Sequence, residues 1–203
     1  MINKAKEYLG IGNTGKIALM DYYNRHCYPY VADNRKYKIQ PNDEWCAMFT
    51  SVMANKCGLG SEQFPYEVSV FYQRKWAIEH KKYYTDVSKV KPNDLIIYDW
   101  KNNGTYDHVG IVVSVGGGFI KVIEGNKSNT VAYRTVSVES KEIDGFISIE
   151  LNGKNYPSHT MRESDRIAIL AIRTVLGKYG NGLDRKANLG ADYDEVQRLI
   201  NSI

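Results

Sequence analysis

No apolar run in the 203 residues approaches the roughly 18 that a membrane-spanning helix requires, so no membrane insertion is expected. Cysteine is scarce: Cys27, Cys46 and Cys57 are the whole supply, and none stands in a CxxC arrangement. An odd number of thiols without paired spacing argues against both a disulfide framework and a structural zinc site. Cys46 and Cys57 are eleven residues apart, which on one helix separates them by about 16 Å along the axis, beyond disulfide reach. Charge of one sign is lacking too. The 27 basic and 23 acidic residues leave a net +4 and are evenly mixed, unlike the clustered Lys/Arg of a nucleic-acid footprint. The charged stretch 1–7 has no apolar segment behind it, so no secretory signal is expected. What is present is an ordinary globular mixture, 43% hydrophobic and 25% charged, long enough for one sizeable domain or a medium domain with a small appendage. Sixteen tyrosines are the compositional excess, suited equally to a core or to carbohydrate or peptide contact.

Helical patterns come first, at residues 4–11 and 16–27, the latter with Ile17, Met20, Tyr23 and Cys27 at helical spacing. A stronger helix is expected from Trp45 to Lys56, capped by Asn42 or Asp43 and stopped by Gly58, and another over about 67–80. The period then shortens. Apolar runs at 95–100, 108–115, 119–124, 130–138 and 143–150 are joined by short Gly/Asn turns, which predicts an antiparallel meander. Helices followed by a sheet make an α+β domain over residues 1–150. Residues 151–160 lack periodicity and read as a linker. Helical signal returns at 162–177, 184–189 and 192–202, a small three-helix module over 161–203.

A thiol becomes a nucleophile most readily at a helix N-terminus near a histidine, and Cys46 falls in the first turn of its helix. Cys27 and Cys57 lie near helix C-termini, where the dipole opposes a thiolate, and are expected to be structural. Of the four histidines, His26 and His80 sit on polar stretches and His159 in the linker. His108 opens an apolar strand directly after a turn, where a side chain can face a cleft. Such a base needs a partner to hold its ring, and the meander brings the end of strand 119–124 beside the start of strand 108–115. Glu124 or Asn126 is thereby placed near His108.

Asp43-Glu44-Trp45-Cys46-Ala47, Asp107-His108-Val109-Gly110-Ile111-Val112 and Ile123-Glu124-Gly125-Asn126, with the lead-in Lys91-Pro92-Asn93-Asp94-Leu95, resemble the CHAP domain, a papain-like cysteine hydrolase of bacterial cell walls. The resemblance covers about residues 1–150. It implies Cys46 as nucleophile, His108 as general base and acid, Glu124 as orienter of the imidazole, Asn126 as a supporting polar group and Trp45 as a substrate contact. It further implies hydrolysis of a peptidoglycan amide through an acyl-enzyme, with the oxyanion held by backbone N–H groups near Cys46. Val175-Leu176-Gly177-Lys178-Tyr179-Gly180-Asn181-Gly182, Asp184-Arg185, Leu189 and Tyr193-Asp194-Glu195-Val196-Gln197 resemble one copy of the CW-seven cell-wall-binding repeat, whose implied wall contacts are Lys178, Tyr179, Asp184 and Arg185.

A wall hydrolase joined to a wall-binding module is similar in layout to a phage endolysin, made in the host cytoplasm and released by a holin. The alternatives are an inactive wall-binding protein and a bacterial autolysin or toxin with the same chemistry. No cofactor and no metal are expected. Some CHAP domains hold calcium in an acidic loop before the cysteine, but here residues 37–44 offer Tyr37, Ile39 and Pro41 at alternate positions, beside basic Arg35, Lys36 and Lys38.

Overall fold

The computed structural model describes residues 1–151, 167, 171, 174, 175, 181–189 and 193–201. The chain divides into two units, Met1–Lys154 and Asn155–Ile203. In the first, four helices, α1 (Ile2–Lys6), α2 (Asn13–His26), α3 (Cys46–Lys56) and α4 (Val70–Glu79), accompany a six-stranded sheet. Its strands are β1 (Tyr83–Tyr84), β2 (Leu95–Tyr98), β3 (His108–Gly116), β4 (Phe119–Lys127), β5 (Thr130–Ser137) and β6 (Ile143–Ile147), in the order β1-β6-β2-β3-β4-β5 with every neighbour antiparallel.

Strands β2 to β5 form the expected meander, but the meander stops there. β6 crosses back to pair with β2, Ile96 opposite Phe146, instead of lining up beside β5. All four residues of β2 are buried, so both of its edges require ladder partners, and β6 brings the fully buried Phe146 and Ile147 to the open one. β5 is only half-buried along most of its length and remains the sheet edge. The two-residue β1, not expected from the sequence, caps the other edge by pairing with β6.

Helix α3 is buried over residues 46–54, a helix apolar nearly all round that must be covered on every side. Helix α2 packs on it, as do β3 and β4 of the sheet. The approach to β4 is possible because residue 125 is glycine: a Cβ there would lie 2.6 Å from Phe49 Cγ. Phe49 is one turn beyond Cys46, so this contact sets how close the start of α3 comes to the sheet. Gly125→Ala is expected to overpack this junction, destabilise the unit by about 1–3 kcal/mol in urea unfolding, and slow chemistry at Cys46. Helix α4 is stapled to α3 by buried Gln73, whose amide nitrogen lies 3.0 Å from the Ala47 carbonyl oxygen, the residue after Cys46.

In the second unit, α5 (Gly182–Leu189) and α6 (Tyr193–Asn201) bury Leu189 and Val196 in an apolar cluster with Ile167 and Ala171. The helix expected over 162–177, and with it the three-helix arrangement, lies mostly outside the described residues, as does the expected linker. No helix among the described residues is long and apolar enough to cross a membrane.

Candidate active site

Helix α3 begins at Cys46 itself, one residue after the expected start. Its N-cap is Trp45, and no side chain caps it. The expected capping by Asn42 or Asp43 does not occur, because the Asp43 carboxylate is engaged in the preceding turn. It accepts the Gln40 N–H at 2.6 Å and the Tyr37 hydroxyl at 2.9 Å. Cys46 therefore occupies the first helical position, at the positive end of the dipole, with uncapped N–H groups around it.

His108 opens β3 opposite Tyr98, after a loop folded around the Asp99 carboxylate, which accepts the N–H groups of Asn103 and Gly104 at 3.1 and 2.6 Å. The residue is 8% exposed, and its Nε2 lies 3.2 Å from Glu124 Oε2. Burial opposes a charged imidazole here. Hydrogen bonding and electrostatic interaction with Cys46 and Glu124 overcome it and raise the pKa from 6.5 to about 9.

Glu124 is fully buried on β4. Burial disfavours its charge, but hydrogen bonds from His108 and Arg134 outweigh that and hold the carboxyl below its usual range. Gly110 on β3 makes the room, since a Cβ there would sit 2.8 Å from Glu124 Cγ. Arg134, which the sequence reading did not single out, donates through Nε to both Glu124 oxygens, at 2.8 and 3.0 Å. It stands on β5 opposite Val122, on the face that Glu124 shares. Its guanidinium covers the Trp100 ring at 4.7 Å, and Trp100 in turn lies 5.9 Å from the His108 ring. The result is a polar line running from His108 through Glu124 to Arg134, with an aromatic wall along it.

The family model described as CHAP domain matches residues 19–126, just over half of the chain. The chain belongs to the CHAP domain family. A CW_7 repeat matches residues 168–203, and no curated protein matches the chain. CHAP membership implies a peptidoglycan hydrolase, an amidase or endopeptidase with a cysteine nucleophile, and the CW_7 repeat implies binding to the cell wall. Cys46, His108 and Glu124 all fall inside the matched CHAP interval, whereas Arg134 falls beyond it.

Two of the expected CHAP site residues sit elsewhere. Asn126, with a left-handed φ of 63°, donates its amide to the Glu44 carboxylate, so it ties the bulge after Glu124 to the loop before Cys46. Among the described residues, Glu124 is the one carboxyl or amide partner of His108. Trp45 is fully buried and packs edge-on against Phe49, so its ring belongs to the core and does not face a ligand. Its position inside the apolar helix pattern was the signal for that.

The remaining thiols differ from Cys46. Cys27 caps the C-terminus of α2, and burial pushes its pKa up to about 12. Cys57 caps the C-terminus of α3, and all three thiols are free. His26 and His80 are exposed and lie on the rings of Tyr22 and Trp76, while His159 lies outside the described residues. In the wall-binding unit, Arg185 donates to Asn181 at 3.0 Å and to Gln197 at 3.3 Å, which joins α5 to α6. Lys178, Tyr179 and the Asp184 side chain lie outside the described residues.

The loop before Cys46 does not fit a calcium ion. The Asp43 carboxylate is engaged as above, and the Pro41 and Asp43 carbonyls both accept the Lys16 ammonium. Among the described residues no group of three or more His, Cys, Asp or Glu could hold a metal. EDTA is expected to leave hydrolysis unchanged; a chelated enzyme that calcium reactivates would show otherwise.

Proposed function

We propose that this protein hydrolyses an amide bond of peptidoglycan with Cys46 as nucleophile, and acts as an endolysin that lyses its host. The observation that carries the reading is a free thiol at the first position of α3 together with a buried histidine whose Nε2 lies 3.2 Å from the buried Glu124 carboxylate. The Cys46 sulfur gives its proton to the His108 ring as it attacks the amide carbonyl. The C=O π bond opens to an oxyanion facing the uncapped N–H groups at the start of α3. His108 then protonates the leaving nitrogen, the C–N bond breaks, and an acyl-enzyme remains. Neutral His108 next removes a proton from water, which attacks the thioester and releases the acid and Cys46. Glu124 touches neither substrate nor sulfur; it fixes the ring and stabilises its charge, and Arg134 fixes Glu124.

The pairing of a CHAP unit with a CW_7 repeat supports an enzyme held on an insoluble wall, where tethering raises the effective concentration of substrate. In this reading the protein is made in the host cytoplasm and reaches the wall after holin-type release. The substrate bond is either the muramoyl–alanine amide or a peptide bond of the stem or cross-bridge. Mass spectrometry of purified peptidoglycan digests, with Cys46→Ala as control, decides among these. New amino termini without new reducing ends are expected. Products carrying only new reducing ends, or no products at all, would refute amide hydrolysis.

A further inference from the structure

Lys16 is in the wrong place for a lysine on two counts. It stands in the first turn of α2, where the helix dipole disfavours a cation, and it is 6% exposed, where an ammonium loses most of its hydration. Both penalties are offset by one arrangement. Its Nζ donates to the carbonyl oxygens of Pro41 and Asp43, each at 2.6 Å, which is short even for charge-assisted hydrogen bonds. These carbonyls belong to the loop that runs into Cys46, and Asp43 is only three residues before it. Helix α3 has no side-chain cap of its own, so its first turn takes its direction from that loop. The other constraints on the loop are the Asp43 carboxylate, which closes its turn, and Asn126, which holds Glu44. Lys16 is the one that fastens it to α2. It lies outside the matched CHAP interval, which begins at residue 19.

From this geometry we infer that Lys16 is a positioning residue: its ammonium is a built-in cation that organises the loop at residues 41–43 and so aims Cys46 at His108. The inference rests on Cys46 as the nucleophile. Alkylation of Cys46 by iodoacetamide reads that thiol directly, however, and is independent of which bond the enzyme cuts.

Lys16→Met removes the charge and keeps the aliphatic stem, and Lys16→Ala also leaves room for a small amine. Both are expected to lower kcat on soluble muropeptide and the Cys46 alkylation rate by about 10²-fold, the scale of a 1 Å misplacement, with KM little changed. n-Propylammonium should restore Lys16→Ala saturably, and neutral n-propanol should not. Wild-type rates and an unchanged pH profile of alkylation in both variants would overturn the inference. So would equal rescue by amine and alcohol, which would make Lys16 a filler of space. A measurement on the unmutated protein stands apart from whether the variants fold. With ¹⁵N-labelled lysine, one ammonium resonance protected from exchange is expected, and a spectrum in which every lysine ammonium exchanges freely would overturn the placement.

Discussion

Cys46→Ala is expected to lose peptidoglycan hydrolysis by on the order of 10⁶-fold, the scale on which a covalent mechanism fails without its nucleophile. The fold should survive. The change removes one sulfur from the first turn of α3, and the His108–Glu124–Arg134 line keeps its remaining partners. His108→Ala should cost nearly as much, and the double variant little more than either, because nucleophile and base act as one unit. Release of amino groups from purified walls measures the loss, with near-wild-type circular dichroism as the folding control. Iodoacetamide at neutral pH should label Cys46 first and more slowly in His108→Ala. Cys27 should resist, since burial holds its proton. Retained hydrolysis by Cys46→Ala would end the mechanism.

Glu124→Gln should reduce kcat/KM by between about 10² and 10⁴, less than loss of the base itself. Size and one acceptor are kept; the charge that holds the imidazolium is lost. The pH profile is the sharper readout. In the unmodified enzyme the imidazolium persists until pH passes about 9, so activity that needs it as a proton donor falls there. In Glu124→Gln that alkaline limb should move to lower pH. Stability follows the same linkage. The folded-state pKa of His108 is raised, so its contribution is fully present below 6.5 and is lost as pH rises through about 9. Glu124 is shifted the other way, so its contribution is present above 4.5 and is lost as pH falls through its lowered pKa. Urea midpoints of the two proteins should therefore differ most between these limits. An alkaline limb that does not move would show that Glu124 does not govern the charge on His108.

The sequence by itself determined the features that depend on near neighbours. An apolar helix pattern after a turn placed Cys46 in a first helical turn, a turn followed by an apolar run placed His108 at a strand start, and a short glycine turn made β3 and β4 a hairpin, so Glu124 had to return beside His108. Tertiary structure alone decided the rest, because it turned on register, burial and contacts between distant segments. Arg134 reaches Glu124 only through the register of a second hairpin, which shifts at the bulge after Glu124. Spacing alone allows Asn126 to face His108, but the same bulge turns it to Glu44. Trp45 stands beside the nucleophile in sequence and inside the core in space. β6 passes over β5 because β2 needs cover on its second edge, a demand no local pattern records. Gly110 and Gly125 matter for the side chains they leave room for, Glu124 and Phe49, and Lys16 for carbonyls 25 and 27 residues away. Local propensity selects elements and the ends of elements; the sum of long-range packing selects which of their side chains meet.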